Sequence, residues 1–112
     1  MSENKGLNGK VALITGAARF RGLGRAIALR LADDGADIVV CGRARSPDSF
    51  PQHEQEMGWQ GTASLADEIR GKGRRALSLD CDVTDKQQVV AMIEAVQAEF
   101  CRLDIIVNNA GV

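Results

Sequence analysis

The sequence predicts an α/β fold in which a doubly wound parallel sheet carries helices on both faces. Three observations predict it. Four short apolar runs alternate with three stretches of helical periodicity, glycine closes each of the first two runs, and a βαβαβαβ order favours right-handed crossovers between parallel strands.

Residues 10–15 (KVALIT) supply the first run, whose apolar centre suits a strand buried on both faces. Gly16 ends it. A helix is expected from Leu23, with Leu23, Ile27 and Leu31 as its apolar stripe and Ala26 and Ala28 allowing close approach to the sheet. Asp34 and Gly35 stop that helix. Residues 37–41 (DIVVC) form a second buried strand, closed by Gly42.

Residues 43–61 then read as a long loop, with two prolines and well beyond the roughly two to six residues usual between a strand and a helix. His53, the sole histidine, is read there as a surface or loop-packing residue. Residues 64–70 support a helix with Leu65 and Ile69 inward, and Gly71 and Gly73 bracket its exit. Residues 75–79 are a third strand candidate. Thr84 with Gln87 three residues later has the spacing of a capping box, and Val89, Ile93, Val96 and Phe100 repeat at helical spacing behind it. Residues 103–107 (LDIIV) make the fourth strand.

The simplest spatial order is 3-2-1-4, because a doubly wound sheet reverses direction after its first strand and opens a crevice at the strands' C-terminal ends. Ile105, Ile106 and Val107 then lie on an edge strand, where apolar residues invite association, so a covering continuation is expected.

A chain of 112 residues can build one core but is short for both a dinucleotide site and a substrate site. The composition, 45% hydrophobic and 26% charged with a net charge of -1, fits a soluble globular protein and gives no general reason to expect a nucleic-acid partner. Eight of the 14 Lys and Arg residues fall within residues 1–45, against four of the 15 Asp and Glu, so the basic excess is local. Cys41, Cys81 and Cys101 sit beside or within apolar runs, as reduced core or boundary thiols do. Residues 1–9 read as a polar N-terminal extension without the apolar core of a secretory signal. No stretch approaches the roughly 18 apolar residues of a membrane span, so no membrane partner and a cytoplasmic location are expected.

Residues 15–24 (TGAARFRGLG) lie between the first strand and the first helix, where glycine permits close backbone approach and free helix N–H groups face an anion such as a pyrophosphate. Gly16, Gly22, Leu23 and Gly24 are the candidate contacts. The run is neither G-x-G-x-x-G, since Ile27 takes the last place, nor a P-loop, since Arg21 and Gly22 stand where glycine and lysine are needed. An ordinary strand-to-helix turn is the alternative. At the end of the second strand an acid would accept the ribose hydroxyls and repel a 2'-phosphate, whereas cations favour that phosphate. Gly42 supplies no acid, Arg43 and Arg45 follow, and Arg19 and Arg21 lie in the glycine loop. NADP is therefore preferred and NAD is the second choice, with solvated surface arginines as the alternative reading.

Residues 10–112 resemble the short-chain dehydrogenase/reductase family. Its loop usually reads T-G-x-x-x-G-x-G; Thr15 and Gly16 match the start and Gly22 and Gly24 the end, with two extra residues between, a spacing similar to the divergent enoyl-reductase branch. Asn108, Asn109, Ala110 and Gly111 match the family's N-N-A-G motif, and the resemblance implies that this run supports the sheet and lies near the nicotinamide-side ribose, with Asn108, Ala110 and Gly111 as the candidate contacts. Asp82 and Val83 resemble the family's acidic-apolar pair against the adenine ring, with a capping role the alternative for Asp82.

The resemblance implies a Rossmann-like fold, a bound dinucleotide and, for a longer parent protein, a small-molecule substrate and homo-oligomeric assembly. It also implies a catalytic Tyr and Lys aided by Ser and Asn. These 112 residues contain no Tyr, so no catalytic residue is assigned, and no Cys, His and Asp grouping has metal-ligand spacing. The leading reading is the cofactor-binding half of an NADP-dependent oxidoreductase that transfers hydride between nicotinamide and an alcohol or carbonyl, inactive as an isolated chain. The alternative is a non-catalytic dinucleotide-binding or assembly module. Phe50, Met57 and Trp59 give the 43–61 loop enough apolar surface to fold over the adenine end or to pack on another subunit, and a mobile insertion is the competing reading.

Overall fold

The computed structural model describes residues 6–43 and 49–109. Its sheet contains β1 (Val11–Ile14), β2 (Asp37–Gly42), β3 (Ala76–Asp80) and β4 (Ile105–Val107), all parallel, in the order β3-β2-β1-β4. This is the doubly wound, Rossmann-like arrangement expected from the alternation of apolar runs and helical stretches. The register sets Ile14 beside Val40 and Val107, and Gly42 beside Asp80. The C-terminal ends of the four strands consequently share one edge of the sheet.

Among the described residues four helices connect the strands: α1 (Leu23–Asp33), α2 (Gln52–Met57), α3 (Thr62–Gly71) and α4 (Lys86–Phe100). Strand side chains alternate between faces. Ala12, Ile14, Ile38 and Val40 pack with Ala28 and Ala32 of α1 and with Leu65, Ala66 and Ile69 of α3. Val11, Leu13, Val39 and Cys41 face the other way, toward Met92, Val96 and Phe100 of α4. Both faces of β1 and β2 are covered, which is why their apolar runs are continuous. Side chains as fully buried as Ile38 and Leu65 each contribute roughly 1.5–3 kcal/mol of hydrophobic stabilisation.

The inward face of α1 differs from the expected stripe. Gly24, Ala28 and Ala32, spaced by four, are its buried residues, while Leu23 is 66% exposed and Ile27 and Leu31 are half-buried. Small residues let the helix axis approach the sheet, and larger ones on that face would hold it away. Ala26, expected to assist, points to solvent. On α4, Met92 is buried and Ile93 is 40% exposed, so the buried row is Met92, Val96 and Phe100.

The cap of α4 also moves by one residue. Asp85, not Thr84, occupies the N-cap, and its Oδ1 accepts from the Gln87 and Gln88 backbone N–H groups at 3.0 and 3.3 Å. Asp serves as well as Thr there, and its carboxylate also complements the positive end of the helix. Residues 43–61 are not loop throughout, since they contain α2, a six-residue helix ended by Gly58 at φ 74°. Cys101 is exposed rather than buried and ends α4 in the left-handed conformation at φ 60°. Leu7, at the start of the described residues, donates its N–H to the Asp34 carbonyl at 2.9 Å and packs against the α1 and α3 side of the core.

Edge strand β4 is held at its start by a two-way link to β1. Val11 donates its N–H to Asp104 Oδ2 at 2.8 Å, and Asp104 donates its own N–H to the Val11 carbonyl at 2.9 Å. Arg102 grips both carboxylate oxygens of Asp104, at 2.7 and 2.8 Å. That guanidinium first, and the Val11 N–H second, hold the Asp104 carboxyl down at about 2.

Candidate functional site

The turn after β1 is bound to the turn after β4. Asn109 donates its backbone N–H to Thr15 Oγ1 at 3.0 Å and its side-chain Nδ2 to the Gly16 carbonyl at 3.1 Å. The buried Thr15 hydroxyl lies 3.4 Å from both Asn108 Oδ1 and the Val107 carbonyl. Gly16 takes φ 65°, a left-handed conformation that favours glycine and turns the chain off the end of the strand.

Gly22 caps α1 in an extended conformation with no side-chain hydrogen bond, and the first turn of the helix carries no acid. The first N–H groups of a helix lack intrahelical acceptors, so this end presents donors and the positive pole of the helix to an anion. Gly24 packs under the turn. A Cβ there would fall 2.9 Å from Asn109 Nδ2 and 3.0 Å from both the Ala17 Cα and the Gly16 carbonyl oxygen. Only a residue without a Cβ allows that closeness.

Residues 49–61 fold over the same loop. Trp59 is buried and donates its indole N–H to the Ala18 carbonyl at 2.8 Å. The Glu54 carboxylate, 1% exposed, accepts the Phe20 N–H at 2.8 Å and lies 3.4 Å from Arg19 Nε. His53 Nε2 sits 3.9 Å from the same carboxylate oxygen. Phe20 meets Trp59 edge to face at 5.2 Å, and the Arg25 guanidinium, paired with Glu68, lies 4.3 Å from the centre of the Phe20 ring.

The end of β2 forms the other part of the edge. Gly42 is buried, and a Cβ there would come within 2.9 Å of the Ala18 Cβ. Arg43 is exposed and its Nε lies 3.8 Å from Asp82 Oδ2. Asp82 Oδ1 accepts from the Thr84 hydroxyl at 2.7 Å and the Thr84 N–H at 3.0 Å, which with the Arg43 charge holds the Asp82 carboxyl below its ordinary range. Val83, beside it, is 39% exposed.

The candidate residues thus divide into two groups along one edge. Gly16, Gly22, Gly24 and Asn108 meet at the turns after β1 and β4, with Leu23 exposed at the start of α1. Arg43, Asp82 and Val83 gather at the ends of β2 and β3. Arg21 is exposed on the glycine loop, and Arg19 lies with its Nε 3.4 Å from Glu54. Arg45, Ala110 and Gly111 lie outside the described residues. Glu54 is the part of this edge that the sequence does not point to. Asn109 was visible in the N-N-A-G run, and Trp59 as a lone large aromatic in a polar loop, but no pattern marks Glu54.

One feature fits a dinucleotide: the start of α1, where Gly22 offers no side-chain cap and the first turn carries no acid, so its first N–H groups can face an anion. Among the described residues no group of three His, Cys, Asp or Glu side chains could hold a metal ion, and no helix is long and apolar enough to cross a membrane.

Comparison with known proteins gives one family. A family model described as short chain dehydrogenase matches residues 10–112. The chain is 43% identical over 111 residues to a cyclohexanol dehydrogenase of Rhodococcus sp. (strain TK6), covering 99% of this chain and 40% of that protein. A short-chain type dehydrogenase/reductase from Mycobacterium marinum has a crystal structure that superposes with a TM-score of 0.74 at 37% identity, covering 100% of this chain and 40% of that one. A structure of NAD+-bound xylitol dehydrogenase also superposes at 0.74, with 34% identity and coverage of 95% and 35%. This sequence therefore spans about two fifths of the length of these relatives.

Proposed function

This chain belongs to the short-chain dehydrogenase family, and we propose that it is the cofactor-binding part of an NADP-dependent oxidoreductase acting on an alcohol or carbonyl. The bound nicotinamide supplies the hydride chemistry. The residues of this chain bind and orient it.

In this reading the backbone of Gly16, Gly22, Leu23 and Gly24 faces the pyrophosphate, and Asn108, Ala110 and Gly111 lie toward the nicotinamide-side ribose. Asp82 and Val83 border the adenine, and Arg43 meets the 2'-phosphate, with Arg21 as a second cation. Arg19 contributes by holding the loop against Glu54. Residues 10–112 form the cofactor-binding unit, preceded by residues 1–9. Proton transfer and substrate binding belong to other residues of a longer polypeptide, since the 112 residues contain no Tyr. The same reading has the complete protein as a cytoplasmic homo-oligomer.

One observation carries the preference for NADP. Gly42 leaves no room for the acid that would clamp a ribose 2'-hydroxyl, because even a Cβ would press on Ala18, and the next residue is an exposed arginine. A guanidinium there makes charge-assisted bonds to a phosphate. NAD is the second choice, in line with the NAD+-bound relative.

The test is Arg43→Ala in the complete polypeptide, with dissociation constants for NADP+ and NAD+ measured by calorimetry at fixed salt. NADP+ binding is expected to weaken roughly tenfold, about 1.4 kcal/mol, with NAD+ nearly unchanged. Equal changes for both would move the assignment to NAD. Turnover on alcohol and carbonyl panels is expected from the complete protein and not from these residues alone.

A further inference from the structure

The turn between β1 and α1 carries two residues more than the family's usual spacing, and a longer turn has more conformations to lose when a ligand orders it. In this structure both extremes of that freedom are already tied. The Ala18 carbonyl is taken by the Trp59 indole at 2.8 Å and the Phe20 N–H by Glu54 at 2.8 Å, both from the segment around α2. Ala17 donates to the Cys41 carbonyl at 3.1 Å and Gly22 to the Arg19 carbonyl at 3.2 Å. Three N–H groups of the turn, those of Ala17, Phe20 and Gly22, are thereby committed within the protein.

We propose that the segment from Gln52 to Trp59 is a latch on this turn, and that Glu54 is a positioning residue for the dinucleotide. This rests on the dinucleotide reading above. The latch holds the added residues away from the phosphates and leaves the start of α1, at Leu23 and Gly24, as the donor surface.

The chemistry of Glu54 supports a role beyond stability. It is a carboxylate 1% exposed, and its Oε1 has no hydrogen-bond partner. Such an oxygen is destabilising where it stands, and an apolar side chain of similar volume would serve the packing at least as well. Arg19, 3.4 Å away, offsets the charge. What the carboxylate accomplishes is to hold the Phe20 N–H and, through it, the path of the turn.

The experiment compares Glu54→Leu, Glu54→Gln and Trp59→Phe in the complete protein. It reads NADP+ and NAD+ dissociation constants by calorimetry and hydrogen exchange across residues 17–22. Glu54→Leu removes the acceptor and is expected to weaken both dinucleotides roughly tenfold, the lower end of what a hydrogen bond to a charged group is worth, and to speed exchange in the turn. Glu54→Gln keeps an acceptor oxygen and is expected to bind within about twofold of the wild type, which assigns the effect to the hydrogen bond with the Phe20 N–H rather than to the charge. Trp59→Phe loses only the indole donor, and weakening of about fivefold is expected, so the latch stays testable if Glu54→Leu does not fold. Unchanged affinity in Glu54→Leu or, where that variant does not fold, in Trp59→Phe overturns the latch, as does equal loss in the Leu and Gln variants. A wild-type protein that binds neither dinucleotide overturns the cofactor reading, and this proposal with it.

Discussion

The side-chain amide of Asn109 donates to the backbone carbonyl of Gly16 at 3.1 Å, joining the end of the last strand to the turn that follows the first. Asn109→Ala removes that donor while leaving the Asn109 backbone N–H on Thr15. A stability loss of about 1 kcal/mol is expected, together with weaker dinucleotide binding, because the freed turn must be ordered by the ligand. Denaturant midpoints and calorimetry on the same variant check both; undiminished binding would confine Asn109 to the fold.

Gly24→Ala places a methyl against two backbone atoms as well as the Asn109 amide, all within about 3 Å. Backbone cannot yield as a flexible side chain does, so a loss of roughly 1–3 kcal/mol is expected despite the better helix propensity of alanine. The double variant Gly24→Ala with Asn109→Ala should recover little, since the Ala17 and Gly16 contacts remain. Full recovery in chemical unfolding would show that the amide alone sets the limit.

Asp104 gives the fold a defined acid sensitivity. Its folded carboxyl titrates at about 2, below the ordinary 3.8, so its contribution is complete above about pH 4 and disappears as the pH falls through 2. The stability difference between wild type and Asp104→Asn should therefore be largest near neutrality and shrink between pH 4 and pH 2. A difference that stays constant across that range would rule out the Arg102 pairing as its source.

The three thiols should separate in alkylation. Burial pushes the Cys41 thiol up to about 11, and burial first, then nearby Asp82 and Asp85, raises Cys81. At pH 8 only about one Cys41 in a thousand is thiolate, so Cys101, exposed at the end of α4, should label first. Peptide mapping after brief iodoacetamide treatment checks the order, and prompt labelling of Cys41 would contradict its burial.

The burial of β1 and β2 was legible because continuous apolar runs such as VALI and DIVVC arise where both faces of a strand are covered, and the strand order followed from the reversal after the first strand of a doubly wound sheet. The buried row of α1 was not, because periodicity weighs Leu23 above Gly24 when the packing distance favours the smaller residue. The cap of α4 moved from Thr84 to Asp85 because adjacent residues with equivalent oxygens compete for one place. At the site, the glycines and the N-N-A-G run carried their own spacing signals, whereas Glu54 did not. A carboxylate in a short polar helix reads as solvated until tertiary contact buries it against Phe20, and no local pattern encodes a partner 34 residues away.

Trp59 is the only tryptophan in the chain, and its indole N–H ends on the Ala18 carbonyl with the Phe20 ring 5.2 Å away. These 112 residues thus carry a single indole fluorophore, seated against the turn after β1. Its emission wavelength and quantum yield depend on that hydrogen bond, on the neighbouring ring and on the exclusion of water. Within these residues, any displacement of the turn, whether by ligand, substitution or partial unfolding, would be recorded optically at that one place without a label.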